Sequence, residues 1–203
     1  MRTIYLLAVA AVIAFSSCNE AKPVKTIENL KAGIKGETTA SAKYAAFSVK
    51  AKEEGHEAIS KLFAAASKAE EIHAGNHRKV LDGLGVKMDD FKPEFEVKTT
   101  AENLQAAIDG EGYEVSTMYP QFIADAKAEK VGKAEKSYNW ANDTEKKHHD
   151  FYVKARESLK TSTENTLPVQ YAVCPVCGNT YDNAKLDAKC AFCQSGKEKF
   201  LII

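Results

Sequence analysis

Glu70-Glu71-Ile72-His73 and Glu145-Lys146-Lys147-His148 each set a glutamate three residues before a histidine. On a helix, residues three apart share a face, so each pair offers a carboxylate and an imidazole to one transition-metal ion. Two lone glutamates, Glu37 and Glu111, each follow a glycine. Glu37 and Glu111 are 74 residues apart, while Glu70 and Glu145, and likewise His73 and His148, are 75 apart. The near-constant offset is an internal repeat of two similar helix pairs. One Glu from each of two helices, plus a Glu-x-x-His from each of two more, is the donor pattern of di-iron carboxylate bundles.

Four helices must carry these residues, and their apolar stripes advance in steps of three and four. The first runs from about Ile27 to Lys52 through Leu30, Ile34, Glu37 and Tyr44. After a turn at Gly55, the second spans Glu57 to Leu84, with Glu70, His73 and His77 inside its apolar line. Residues 85–98 are too long a connection for antiparallel neighbours and predict a crossover along the bundle. The third helix starts at Thr99-Thr100, with Glu102 in its first turn, and continues through Leu104, Ile108, Glu111, Val115, Met118 and Phe122. The fourth, from Lys133 to Leu159, buries Glu145 and His148 beside Tyr138 and Tyr152. A carboxylate buried alone costs several kcal/mol, so six ionisable groups on core stripes call for compensation, and metal provides it. His77 is read as a packed or hydrogen-bonded core histidine, His56 and His149 as surface residues.

The chain has 203 residues, 44% of them apolar, enough for one bundle and a small extra module. Twenty-eight basic and 28 acidic side chains balance to a formal charge of +0, without the basic excess of a nucleic-acid binder. Met1-Arg2 precedes an apolar run from Ile4 to Phe15 that fits a signal-peptide core and is too short to span a bilayer. Ser16-Ser17-Cys18 follows and resembles a bacterial lipobox, which implies cleavage before Cys18, lipid on that cysteine, and an exported, membrane-anchored protein. An ordinary signal peptide cleaved elsewhere is the alternative. The expected organisation is a leader over 1–17, a tether over 18–26, the bundle over 27–160, a linker over 161–170 and a module over 171–203.

That module holds Cys174-Pro175-Val176-Cys177 and Cys190-Ala191-Phe192-Cys193, two knuckles separated by twelve residues. Such pairs hold one tetrahedral metal through four thiolates. Iron and zinc both satisfy the spacing, and disulfides are a further alternative in an exported protein.

Gly36-Glu37 with Tyr44, Glu70-x-x-His73, Glu111-x-x-Glu114 with Met118-Tyr119-Pro120, Glu145-x-x-His148 and the terminal cysteines together resemble rubrerythrin. The resemblance covers nearly all of the mature chain. It implies a mainly α fold, a ferritin-like four-helix bundle with one long crossover, followed by a small rubredoxin-like domain of β or zinc-ribbon type. It implies two non-haem irons on Glu37, Glu70, His73, Glu111, Glu114, Glu145 and His148. Glu114 would exchange with His73 as one iron changes oxidation state. Tyr44 and Tyr119 would hydrogen-bond ligand carboxylates. One iron, with zinc the alternative, would sit on Cys174, Cys177, Cys190 and Cys193; Ala191 stands where the family commonly has proline. The implied activity is reduction of hydrogen peroxide to water in oxidative-stress defence, with an electron-donor protein and a homodimer. An iron-oxidising ferritin-like protein and a zinc-loaded structural module are the other readings.

Overall fold

The computed structural model describes residues 22–203. The expected leader, Cys18 and the first four residues of the expected tether, 18–21, lie outside the described residues. Helix α1 (Val24–Glu53) packs along α2 (Glu57–Gly83). Residues 84–99 cross over to α3 (Thr100–Tyr113), which continues through a π-helical turn (Glu114–Met118) into α4 (Tyr119–Ala128). Helix α5 (Gly132–Thr161) packs along both α3 and α4, completing a four-helix bundle.

Local chemistry explains the ends. Gly55, at φ +87°, supplies the left-handed turn between α1 and α2, where a side chain would be strained. The Thr99 side chain accepts from the Glu102 amide while the Glu102 carboxylate accepts from the Thr99 amide, a reciprocal cap for α3. Helix α1 begins at Val24, so the last three residues of the expected tether are helical. The cause is remote: Glu129, just past α4, accepts from the free amides of Lys25 and Thr26 at 3.1 and 2.7 Å.

The apolar interior falls into two parts. Tyr44, Phe47, Phe63, Leu62, Leu104 and Tyr152 fill one; Leu30, Ile34, Leu81, Phe122 and Tyr138 fill the other. Each fully buried side chain of this size contributes about 1.5–3 kcal/mol. The glutamates and histidines named above sit at the junction, mid-helix, with one cluster on either side.

After α5, residues 162–170 hold a 3-10 turn (Glu164–Thr166) and lead to β1 (Tyr171–Val173), β2 (Thr180–Asp182) and β3 (Leu201–Ile202). The antiparallel order is β2-β1-β3. The connecting segment is fastened: Glu164 meets His56 Nδ1 at 2.9 Å and Lys61 donates to the Val169 carbonyl. His56 is therefore half-buried and partnered, not a plain surface residue. Strand alternation gives β1 two loyalties. Tyr171 and Val173 enter the bundle core, while Ala172 joins Cys174, Cys177, Cys190 and Phe200 in the module's own core.

Candidate metal centre

Glu37, Glu70, His73, Glu111, Glu145 and His148 are each no more than 2% exposed. Their donor atoms converge in two groups, Glu37-Glu70-His73-Glu145 and Glu70-Glu111-Glu145-His148. Glu70 and Glu145 belong to both. Glu70 places Oε2 2.8 Å from His73 Nδ1 and Oε1 3.1 Å from His148 Nδ1. Glu145 does the same from the opposite side, at 2.9 Å to each histidine. Each of these carboxylates thus spans the two groups, one oxygen to each.

Many of these atoms lack any hydrogen-bond partner among the described residues: Glu37 Oε2, Glu70 Oε1, Glu111 Oε2, both Glu145 oxygens and His148 Nδ1. Buried polar atoms are nearly always paired. Orphans at close range, aimed at common points rather than at each other's protons, fit two cations. The oxygen and imidazole donor set suits iron. The electrostatics agree. Burial, followed by the neighbouring carboxylates, pushes Glu37, Glu111 and Glu114 well above the usual carboxylate range. Burial also opposes charge on Glu70, but His148 and His73 outweigh it and hold that carboxyl low.

Tyr44 Oη donates to Glu111 at 2.8 Å, and Tyr119 Oη donates to Glu37. Glu114 is half-buried at the start of the π-helical turn and lies outside both convergent groups, although it faces Glu37 closely enough to raise its pKa.

In the module the four cysteines are unbridged, with Cys174 and Cys193 sulfurs 3.4 Å apart and Cys177 and Cys190 sulfurs 3.5 Å apart. A disulfide needs about 2.05 Å. Tetrahedral metal–thiolate bonds of about 2.3 Å place sulfurs about 3.8 Å apart, close to what is seen. Burial resists a thiolate at Cys190, yet the Cys193 amide and the Tyr181 hydroxyl hold its pKa down. The Ala191 amide donates to that same hydroxyl at 2.9 Å, a bond that proline at this position would delete.

The two centres touch. A Cβ on Gly178, which follows the first knuckle, would lie 2.3 Å from His73 Nε2. Thr180 Oγ1 meets His148 Nε2 at 2.9 Å. Lys147, next to His148, donates to Asn179 at 2.7 Å and lies 4.2 Å over the Tyr181 ring. Asn76 of α2 donates to the Val176 carbonyl.

The family model described as rubrerythrin matches residues 28–156. The chain belongs to the rubrerythrin family. Nigerythrin of Nitratidesulfovibrio vulgaris is 34% identical over 183 residues, 86% of this chain and 85% of that protein. Rubrerythrin-2 of Clostridium acetobutylicum is 31% identical, covering 88% of this chain and 97% of the relative. The solved structure of fully reduced, all-ferrous nigerythrin superposes with a TM-score of 0.78 at 32% identity, over 94% of this chain and 91% of that one. A Desulfovibrio desulfuricans bacterioferritin, at 18% identity and TM-score 0.64, shares the bundle fold. The protein is a di-iron oxidoreductase of the oxidative-stress defence type, with a further iron or zinc at four cysteines.

Three features of this rubrerythrin-family chain escape the reading of stripes. The first is the π-helical turn, where Tyr119 N–H bonds back five residues to Glu114. It rotates the helix, so Val115 and Met118, assigned to the core stripe, are only half-buried, and Tyr119 is fully buried instead. A signal for it exists: Tyr44 follows Glu37 by seven residues, but Tyr119 follows Glu111 by eight. The second is the Gly178–Thr180 contact with the histidines, which joins residues 32 or more apart without a shared motif. The third is the identity of the partners of His77, which is the hydrogen-bonded core histidine its place on the stripe suggests: Ser137 Oγ at 2.7 Å and Tyr119 Oη at 3.1 Å.

Proposed function

We propose that the protein is a di-iron peroxidase that reduces hydrogen peroxide to water, with electrons entering through the four-cysteine iron. The observation that carries this reading is the contact of the cysteine module with both histidines of the carboxylate centre. An iron-storage protein has no use for such a junction. Glu37, Glu70, His73 and Glu145 would hold one iron, and Glu70, Glu111, Glu145 and His148 the other. Bound iron supplies two electrons and Lewis acidity for breaking the O–O bond. The chain does the rest. Tyr44 and Tyr119 fix Glu111 and Glu37, Thr180 fixes the His148 ring, and the apolar clusters exclude bulk water. The test is metal analysis followed by anaerobic mixing of the reduced protein with hydrogen peroxide. The expected result is about three irons per chain, one for each donor group, and rapid oxidation by peroxide. A preference for oxygen, or iron accumulating beyond that number, overturns the reading in favour of an iron-oxidising storage protein. Zinc at the cysteines overturns the proposed electron entry.

Glu114 would be a further ligand on the Glu37 side when the iron there is oxidised, with His73 taking that place when it is reduced. Its support is its place beside Glu37 and the greater hardness of a carboxylate. Glu114→Ala should keep both irons, because both donor groups are complete without it. The oxidised state loses a charged donor, so the reduction potential should rise and turnover slow by about tenfold. Redox titration and stopped-flow oxidation check this; unchanged values remove Glu114 from the ligand set.

The reading also places the protein outside the cytoplasmic membrane of a bacterium, held by lipid on Cys18, with a protein electron donor. Its support is the apolar run before Ser16-Ser17-Cys18. Among the described residues no helix is long and apolar enough to cross a membrane. A homodimer is part of the same reading, on the strength of the family resemblance.

A further inference from the structure

We propose that Ser137, His77 and Tyr119 form a proton path from the protein surface to the Glu37 end of the carboxylate cluster. The inference rests on the peroxidase reading for its purpose, but its geometry stands apart from that reading. The three side chains come from three helices and make one unbroken series of hydrogen bonds. Ser137 Oγ lies 2.7 Å from His77 Nδ1, His77 Nε2 lies 3.1 Å from Tyr119 Oη, and Tyr119 bonds Glu37 Oε1.

Counting donors sets the direction of every bond. Tyr119 has one hydroxyl proton and gives it to Glu37, so its oxygen accepts from His77. His77 therefore carries its proton on Nε2 and accepts at Nδ1 from the Ser137 hydroxyl. Burial holds the His77 imidazole down to about 3, so the ring is neutral and has one proton to place. All donors then point inward. A single concerted shift moves the Ser137 proton to His77 Nδ1, the Nε2 proton to Tyr119, and the Tyr119 proton to Glu37 Oε1. A solvent proton replaces the one that Ser137 gave up.

The outer end borders a surface cleft, although Ser137 itself is only 5% exposed. Ser137 lines an open cleft of about 290 Å³ with Asn76, Lys79, Lys133 and Trp140. The inner part is fitted: a Cβ on Gly33 of α1 would come within 3.0 Å of the His77 ring, so a glycine there leaves the imidazole its place. Reduction of one hydrogen peroxide to two waters consumes two electrons and two protons. The electrons come from the two irons of the proposed reaction, and this path supplies protons one per passage, the Ser137 and Tyr119 hydroxyls and the His77 ring turning back to the inward-donating arrangement before the next.

The test uses Ser137→Ala, which cuts the entry and leaves the inner bonds, and His77→Leu, which cuts the middle. Nitrogen NMR of the metal-free parent should show His77 protonated on Nε2. Both variants should bind parental amounts of iron. Oxidation of the reduced variants by peroxide should slow at least about tenfold, and added imidazole should restore Ser137→Ala but not His77→Leu. A second measurement is independent of peroxide chemistry. Stripping ferrous iron from the loaded protein with a chelator returns protons to the carboxylates, and an indicator dye should show that proton uptake lagging behind metal loss in both variants. Proton uptake in step with metal loss, parental oxidation rates, or a proton on Nδ1 overturns the path. If the parent ignores peroxide while proton uptake still lags in the variants, the peroxidase reading fails and the path stands.

Discussion

Glu145→Ala should emerge from purification with its four-cysteine metal and almost no iron in the bundle. Glu145 sends one oxygen toward each histidine at 2.9 Å and belongs to both donor groups. Its removal leaves each group with three donors and deletes one of only two carboxylates shared between them. Changes to residues that merely orient a metal ligand cost about 10–100-fold in affinity, and loss of a shared ligand should exceed that at both positions. Peroxide oxidation should fall with the iron. The fold should survive, because Glu145 helps to raise the pKa of Glu37 and Glu111, so its absence relieves repulsion in the metal-free protein. Circular dichroism separates loss of metal from loss of structure. Two irons retained in a folded variant would refute the assignment of Glu145 to both donor groups.

Gly178→Ala tests the junction of the two centres. Its Cβ would lie 2.3 Å from His73 Nε2 and 2.6 Å from Cδ2, closer than non-bonded atoms approach. The residue also sits at φ +83°, where a side chain costs roughly 1–2 kcal/mol. The knuckle must move off the histidine. The bundle irons and the four-cysteine metal should both remain, each with its own spectrum. Oxidation of the pre-reduced bundle site by peroxide should be little changed. Its re-reduction through the module should slow on the order of 100-fold, the scale on which small displacements impair a positioned reaction. Sequential-mixing stopped flow resolves the two steps. Thr180→Val, which deletes the His148 bond without backbone strain, should slow the same step less. Parental re-reduction in Gly178→Ala would show that electrons enter by another route.

Residue type and spacing were enough to nominate the six buried donors of the bundle and the four cysteines. Metal ligands must combine particular donors with helical periodicity, and both survive in a linear string. The chain-order relations that failed to show are those between surfaces. Glu129 steadies Lys25 and Thr26 across more than a hundred residues, and no local pattern announces it. His56 reads as a surface histidine because its partner, Glu164, lies in a segment that itself reads as a loose linker. The Glu111 helix reads as one regular stripe because periodicity assumes a constant turn, and the π-helical turn breaks that assumption after Glu111. His77 was legible as a core histidine, but its bonds to two other helices were not.

Strand β1 has a consequence for how this protein comes apart. Tyr171 and Val173 are core residues of the bundle, and Ala172 between them is a core residue of the module. A strand cannot leave one hydrophobic interior and keep its pairing in the other, so the two halves share a cooperative unit. Heat or denaturant should meet one transition where the domain boundary suggests two. Each metal then stabilises both halves, since any ligand that binds only the folded form shifts the whole equilibrium. Oxidative loss of the cysteine-bound metal would weaken the bundle along with the module, and damage at the more exposed centre would mark the entire chain for turnover.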